Sequence, residues 1–203
     1  MFLDIVILPP KELRERLGKK IKQATADYPK VIVVDNKKFI PHVSLFHIRT
    51  SKAGLKKISK LLPEIIKNYR SIKLSSTIFD IRGESGRIWF VLGLTNPREL
   101  RKLNSKVVYA CRSFRTGMMP FTSKRKATKL EKQYRKDFGS RHILKLFRPH
   151  ITLAMLKHKD DARAVERKWR GLKLNFTPDE VAITEVNYWH QVTRIIKKFK
   201  LNK

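Results

Sequence analysis

Phe39-Ile-Pro-His-Val-Ser-Leu45 recurs later in the chain as Phe147-Arg-Pro-His-Ile-Thr-Leu153, and the two histidines are 108 positions apart. In each copy the histidine is followed two residues later by a hydroxyl residue. Because alternate residues of a β-strand point from the same face, each copy predicts a strand that presents an imidazole beside an alcohol. A single strand of this kind is usually a core strand with an ordinary histidine, but the duplication favours a functional role.

A second repeat indicates that the whole chain is duplicated. Pro10-Lys-Glu-Leu-Arg14 recurs as Pro97-Arg-Glu-Leu-Arg101, 87 positions later, and each copy follows an apolar run. Both copies predict the order strand, helix begun by proline, histidine strand, helix, strand. We therefore expect one domain over residues 1–203, built from duplicated halves of about 1–86 and 87–203, whose sheets face each other.

The two repeats have different offsets, and the difference of 21 positions locates extra residues in the second copy. These residues fall within 113–146, where the chain becomes strongly basic. Ten Lys or Arg residues stand against two acids over residues 122–148. Such a run is either a solvated face or an arm that binds nucleic acid. The residues proposed for RNA contact are Lys124, Arg125, Lys126, Lys129 and Lys132.

Composition points to a folded protein with a polyanionic partner. The 203 residues are 41% hydrophobic, and 47 Lys or Arg against 17 acids give a formal charge of +30. That charge repels itself unless a polyanion neutralises it, so RNA is the expected partner. The apolar run Phe2–Leu8 is too short to span a bilayer and contains Asp4. With no targeting segment and a single Cys111, expected to be buried, we expect a cytoplasmic monomer that binds no membrane.

The paired His-x-Ser/Thr-Leu motifs resemble those of the two-histidine phosphoesterase superfamily, in particular the 2′-5′ RNA ligase-like cyclic phosphodiesterases. The resemblance covers nearly the whole chain, including the Leu-Pro-Pro exit of the opening strand; the long basic insert departs from it. It implies an α+β fold with two pseudo-symmetric lobes of antiparallel sheet, helices packed outside and a cleft between the sheets. The implied substrates are RNA ends, such as those of tRNA-like fragments, with 2′,3′-cyclic phosphates or 2′-5′ linkages.

The residue types in the motifs match the chemistry of phosphodiester hydrolysis. His42 and His150 supply an acid and a base that titrate near neutral pH, so neither a metal nor another cofactor is required. Ser44 and Thr152 are the candidate donors to the phosphoryl oxygens, and Arg148 is a further candidate for binding the phosphate. The sequence leaves open which histidine is the acid. It also leaves open whether the direction is hydrolysis to a 2′-phosphate or 2′-5′ ligation.

Two other histidines are assigned lesser roles. His47 falls on the same strand face as Val43 and Leu45, which predicts a core or edge position. His190 follows the aromatic residues 188–189, and a core cluster on a closing strand is favoured over a position in the cleft. A base-stacking role for these aromatic residues is the alternative.

Two rival functions follow from the same residues. One is a non-catalytic RNA-binding protein that retains the fold while its basic surface carries the function. The other is a metal-dependent hydrolase with His42, His47 and His150 as ligands. It is disfavoured because the chain has no His-Glu-x-x-His or Cys-x-x-Cys spacing and no carboxylate beside either motif. A glycine-rich phosphate loop is also absent, so ATP-dependent ligation has no support.

Overall fold

The computed structural model describes residues 1–70, 72–84, 87–120 and 126–201, and ten strands and five α-helices lie within them. Along the chain the elements are β1 (Phe2–Leu8), α1 (Lys11–Ala24), β2 (Lys30–Val33), β3 (Val43–Thr50), α2 (Lys52–Ile66), β4 (Leu74–Glu84), β5 (Arg87–Leu94), α3 (Arg98–Cys111), β6 (Arg115–Gly117), α4 (Lys129–Phe138), β7 (His150–Leu156), α5 (Lys159–Trp169), β8 (Asn175–Phe176), β9 (Glu180–Val186) and β10 (Val192–Lys200). The predicted element order is present in both copies. The structure adds β2, β6 and α4, and α4 lies in the interval that the offsets assigned to the insert.

Two five-stranded antiparallel sheets form the framework, in the orders β10-β9-β1-β3-β6 and β2-β7-β5-β4-β8. Each sheet combines strands from both sequence copies. The closing strands β9 and β10 join β1 of the first copy, whereas β4 joins β5 of the second. The short strands exchange in the same way, since β6 pairs with β3 and β2 pairs with β7. The two copies are therefore interlocked.

The helices pack against these sheets through apolar stripes. Helices α2 and α3 contact each other and α3 lies on β3, while α1 and α5 contact the second sheet. The first helix of each copy begins directly after Pro10 or Pro97, as the second repeat predicted. In α2 the residues Ile58, Leu62 and Ile65 are buried at the three- and four-residue spacing of one helix face. This face and its counterparts join the sheets in one continuous core.

Both histidine strands contain a β-bulge at the same place in the motif. In β3 the partners of Val6 and Ile5 are Ser44 and Phe46, so Leu45 is the extra residue. In β7 the partners of Val91 and Phe90 are Thr152 and Ala154, which makes Leu153 the extra residue. A bulge reverses the alternation of side chains beyond it. The residues after each hydroxyl therefore face the opposite way from a regular strand.

The α+β architecture with two antiparallel sheets, expected from the sequence, is confirmed. Cys111 is buried at the end of α3, also as predicted. Within the described part of the chain, no helix is both long enough and apolar enough to cross a bilayer.

Candidate active site

The two histidine motifs line one cavity of about 660 Å³ between the sheets. His42 and Ser44 from one strand, and His150 and Thr152 from the other, all contribute to its wall, and Arg148 lies beside them. The structure thus brings together every residue of the two motifs that the sequence singled out. Their catalytic and phosphate-binding roles stay predictions.

The same kind of backbone hydrogen bond orients each of the two histidine rings. Nδ1 of His42 lies 2.7 Å from the carbonyl oxygen of Ile40, and Nδ1 of His150 lies 2.9 Å from that of Arg148. A carbonyl oxygen can only accept, so Nδ1 carries the hydrogen in each ring. This leaves Nε2 of each imidazole as the nitrogen that can exchange a proton with a bound substrate.

A buried carboxylate stands behind the first motif. Asp4 is fully buried in β1, and its Oδ2 accepts a hydrogen bond of 2.6 Å from the Ser44 hydroxyl. The same oxygen lies 3.1 Å from Nε2 of His47 and 3.7 Å from Nε2 of His42. No acid adjoins the motif in the sequence. The pairing of β1 with β3 supplies one.

Asp4 and His47 shift each other's pKa in the directions that favour their charged forms. Burial raises the pKa of Asp4, but the charge and hydrogen bond of His47, together with the charge of His42 and the hydrogen bond of Ser44, hold that pKa below its ordinary value. Burial lowers the pKa of His47, and here the charge and hydrogen bond of Asp4 outweigh it, so the pKa of His47 is raised. The carboxylate is therefore charged at neutral pH, and its charge favours a bound proton on His47.

The core or edge position predicted for His47 is wrong, and the bulge at Leu45 is the reason. In a regular strand His47 would share the face of Val43. The extra residue reverses the alternation, so that His47 faces the cavity with Ser44. A bulge has no signature in this stretch of sequence, whereas Asp4 within an otherwise apolar strand is a signal that points to a polar partner.

The second lobe carries no such pair. Asp4 is paired with His47 in the first sheet, and the equivalent partners in the second are Trp89 and Met155. Met155 is fully buried. Among the described residues, none makes a hydrogen bond to the Thr152 hydroxyl. The duplicated motifs therefore share their geometry but differ in what stands behind the hydroxyl.

The two motif histidines also differ in their electrostatic surroundings. Burial lowers the pKa of His150 to about 4, and the positive charge of Arg82 acts in the same direction. Burial lowers the pKa of His42 as well, but the charge of Asp4 opposes this. Of the two rings, His42 is the one whose neighbour favours a bound proton.

Cationic and aromatic side chains surround the motifs in the cavity wall. His190 lies there too, its ring centroid 4.8 Å from that of His47, so the core position favoured for it is wrong. The Arg87 guanidinium lies 4.6 Å from the centroid of the Trp189 ring, which is also part of the wall. The arginines that line the cavity are Arg82, Arg87, Arg141 and Arg148. Such a wall suits an anionic ligand.

The insert interval 113–146 contributes Arg141, His142 and Ile143 to the cavity wall, but the described lysines proposed for RNA contact lie elsewhere. Lys126, Lys129 and Lys132 are exposed at and before the start of α4, and none of them lines the cavity. Lys124 and Arg125 lie outside the described residues. Within the insert, Glu131 of α4 lies 4.0 Å from Arg141 of the cavity wall. Among the residues that the structure describes, no three His, Cys, Asp or Glu side chains are grouped so as to hold a metal ion.

The family model of the 2′-5′ RNA ligase superfamily matches residues 9–191, a range that includes both motifs. The chain belongs to this superfamily. The family assignment confirms the resemblance to two-histidine phosphoesterases drawn from the repeats. It also assigns the chain a phosphoesterase activity of the 2′-5′ RNA ligase type.

Solved structures of this superfamily's fold resemble the chain along its whole length. TT0787 of Thermus thermophilus is 15% identical, with a TM-score of 0.61, and the match covers 99% of this chain and 98% of that one. LigT of E. coli, complexed with phosphate, is 15% identical with a TM-score of 0.51, over 99% of this chain and 97% of LigT. A crystallised phosphoesterase is 15% identical with a TM-score of 0.53, and the match covers 100% of this chain and 99% of that one. No curated protein sequence matches the chain.

Proposed function

We propose that this protein is a metal-independent phosphodiesterase that hydrolyses 2′,3′-cyclic phosphates at RNA ends to 2′-phosphates. The observation that carries the proposal is the pair of imidazole and hydroxyl groups from His42, Ser44, His150 and Thr152, which meet in one cavity with the same backbone hydrogen bond to each ring. Two histidines supply the base and the acid that cyclic phosphate hydrolysis requires. The same displacement with a ribose hydroxyl in place of water makes a 2′-5′ linkage, and the reverse of that step breaks one.

The surroundings of the two rings support a division of labour. His150, whose pKa is lowered to about 4, is neutral at pH 7 and acts as the base. Its Nε2 takes a proton from water, and the water oxygen attacks phosphorus. The bond from phosphorus to the ribose 3′-oxygen breaks, and the electron pair leaves with that oxygen. In its protonated form, which the charge of Asp4 favours, His42 gives its Nε2 proton to the departing oxygen.

The remaining cavity residues suit a phosphate. Thr152 offers a hydroxyl without a protein partner among the described residues, and Arg148 and Arg82 supply positive charge. Donors and cations that are aimed at the phosphoryl oxygens stabilise the charge that develops in the transition state. LigT of E. coli, which shares the fold, has been crystallised with phosphate and with 3′-AMP.

The charge of the chain supports RNA as the substrate. A formal charge of +30 attracts a polyanion, and the exposed lysines at the start of α4 extend the basic surface beyond the cavity. We propose that the RNA end enters the cavity while the preceding backbone follows this surface.

Incubation of the pure protein with an RNA ending in 2′,3′-cyclic phosphate, in the presence of a chelator, tests the proposal. We expect turnover to a 2′-phosphate, and we expect the His42→Ala variant to lose it. Loss of activity in the chelator would favour the metal-dependent alternative. RNA binding without turnover under any condition would identify the non-catalytic RNA-binding alternative.

A further inference from the structure

We propose that Asp4 and His47 hold Ser44 with its proton turned away from the cavity, so that the two motif hydroxyls perform opposite tasks. Thr152 donates to a phosphoryl oxygen. Ser44 instead accepts a hydrogen bond from the ribose 3′-hydroxyl, the group that leaves when water or a ribose hydroxyl opens the cyclic phosphate. This inference rests on the proposed function and assigns that site its ribose-binding group.

The Ser44 hydroxyl has one proton, and the structure shows where it goes. Its oxygen lies 2.6 Å from Oδ2 of Asp4, and an ionised carboxylate only accepts, so Ser44 must be the donor. A hydrogen bond to a buried charged group is stronger than one between neutral groups, and breaking it would leave the carboxylate of Asp4 with one donor fewer. Ser44 therefore meets a ligand with its lone pairs.

The position of the carboxylate is fixed from its other side. Nε2 of His47 lies 3.1 Å from the same Oδ2, and the His47 ring packs 4.8 Å from the ring of His190. Asp4 itself is fully buried in the middle of β1. One oxygen thus receives Ser44 and His47 together, and the 2.6 Å contact of Ser44 with it is much shorter than the 3.5 Å between the Ser44 oxygen and Nε2 of His47.

The second lobe shows what the motif does without this pair. Trp89 and Met155 occupy the equivalent register positions, and the Thr152 hydroxyl is bound to no described residue. Its proton is available to a ligand. Since both motifs are held by the same backbone hydrogen bond to the ring and the same bulge, the difference in hydroxyl chemistry comes from Asp4 and His47.

The Ser44 oxygen lies in the part of the cavity where the departing ribose oxygen is expected. Ser44 lies two residues after His42 and shares Asp4 with it, so both belong to the half of the cavity that protonates the departing oxygen. Once protonated, that oxygen is a hydroxyl group and needs an acceptor. When a 2′-5′ linkage is cleaved back to the cyclic phosphate, the attacking ribose 3′-hydroxyl presents the same donor.

Binding of two product-like nucleotides tests the acceptor role without turnover. Adenosine 2′-monophosphate has the ribose 3′-hydroxyl, and 3′-deoxyadenosine 2′-monophosphate lacks it. By calorimetry, we expect the wild-type protein to bind the first about 5- to 10-fold more tightly, the usual worth of one hydrogen bond. Ser44→Ala should bind both equally, and Thr152→Ala should keep the preference. A preference that survives in Ser44→Ala, or that is absent from the wild type, overturns the inference.

The positioning pair is tested by giving the first lobe the apolar character of the second. In the double variant Asp4→Leu with His47→Met, Ser44 remains but its acceptor is gone. Replacing both members of a buried ion pair with apolar groups is often tolerated, whereas removing one is not. We expect this variant to lose the preference for the 3′-hydroxyl. If it keeps the full preference, the pair does not orient Ser44.

Cyclic phosphorothioates test the donor role of Thr152, since sulfur is a weak acceptor. We expect Thr152→Ala to slow the all-oxygen substrate roughly 10- to 100-fold, and to slow one of the two sulfur diastereomers far less. Ser44→Ala should slow the oxygen and both sulfur substrates by equal factors. A Ser44→Ala penalty that disappears with one diastereomer shows that Ser44 donates to the phosphate and refutes the inference. An absence of turnover in the wild type would instead refute the proposed function, while the nucleotide binding test stands by itself.

Discussion

At the scale of single residues, His42 and His150 have one backbone geometry and two electrostatic settings. Each Nδ1 hydrogen is bound to the carbonyl two residues earlier, but among the side chains that the structure describes only His42 has a carboxylate, that of Asp4, beside it. Identical motifs can therefore supply an acid and a base at once. Predictions about single side chains follow from this contrast.

Replacing either histidine with alanine should remove a positioned acid or base. We expect His42→Ala and His150→Ala each to lower turnover of a 2′,3′-cyclic phosphate by roughly 10²–10⁴-fold, with the fold retained. Initial rates, together with circular dichroism as the control for folding, provide the measurement. A folded variant of either histidine with near-wild-type turnover would show that this histidine is not catalytic.

The assignment of acid and base can be separated with a better leaving group. A cyclic phosphate of catechol releases a phenolate, which needs less protonation than a ribose oxygen. We expect His42→Ala to lose much less activity on this substrate than on the cyclic nucleotide, because the missing acid matters less. His150→Ala should lose similar amounts on both. If His150→Ala, and not His42→Ala, loses less activity on the catechol substrate, His150 is the acid and His42 is the base.

The sequence was sufficient to predict the motif residues but not what lies behind them. The spacing of His42, Ser44, His150 and Thr152 indicated that these side chains belong together, because the pattern is local to each strand. Asp4 reaches Ser44 across a strand pair and through a bulge. Neither the pairing of β1 with β3 nor the bulge follows from local pattern, so His47 was placed on the wrong face.

At the scale of elements, the insert is the part of the second copy that has no counterpart in the first. The offsets predicted its size and its interval, and helix α4 lies there. Its helical structure was not predicted, although Thr128 and Glu131 form a capping box at its start. The high charge of the segment favours a solvated face or an arm that binds nucleic acid, and this interpretation does not take the capping box into account.

Neutralising the insert should weaken RNA binding and spare small substrates. We expect the variant with Lys124, Arg125, Lys126, Lys129 and Lys132 all changed to Gln to bind oligomeric RNA more weakly, with a smaller dependence on salt, since each phosphate contact releases counterions. Turnover of a cyclic mononucleotide should stay nearly unchanged. Binding titrations at several salt concentrations and initial rates measure the two effects.

A matched variant controls for the loss of net charge alone. It changes five exposed lysines on α1 and α2, far along the chain from the insert: Lys19, Lys20, Lys52, Lys56 and Lys60. We expect its salt dependence to resemble that of the wild type. An equal change in both variants would mean that general charge, rather than the insert, attracts RNA. An equal loss on RNA and mononucleotide in the insert variant would mean that the insert supports the cavity.

At the scale of the whole molecule, the cavity couples function to acid stability. The histidines His150 and His190 line it, and burial lowers their pKa values to about 4 and about 3. In the unfolded chain each returns to its ordinary value of 6.5. Between pH 6.5 and about 4 the unfolded state therefore binds protons that the folded state does not.

The sign of this linkage gives a prediction. Below pH 6.5, proton uptake by the unfolded chain lowers the free energy of unfolding, so the protein should be less stable at pH 5 than at pH 7. Denaturant titrations at the two pH values, at constant ionic strength, measure it. The double variant His150→Gln with His190→Asn should show a smaller difference. If the difference is unchanged, these two rings do not carry the acid sensitivity.

The exchange of strands between the two sequence copies has a consequence for how the chain is made. While the protein is being synthesised, β1 and β3 leave the ribosome with one edge of β1 unpaired, because β9 is made almost last. An unpaired edge is open to other strands until its partner arrives. The sheet that contains β1 and β3, and with it the cavity, therefore cannot be completed until β9 and β10 have been synthesised. We expect an amino-terminal fragment to keep the edge of β1 unpaired, and we expect a separately supplied carboxy-terminal fragment that contains β9 to pair with it.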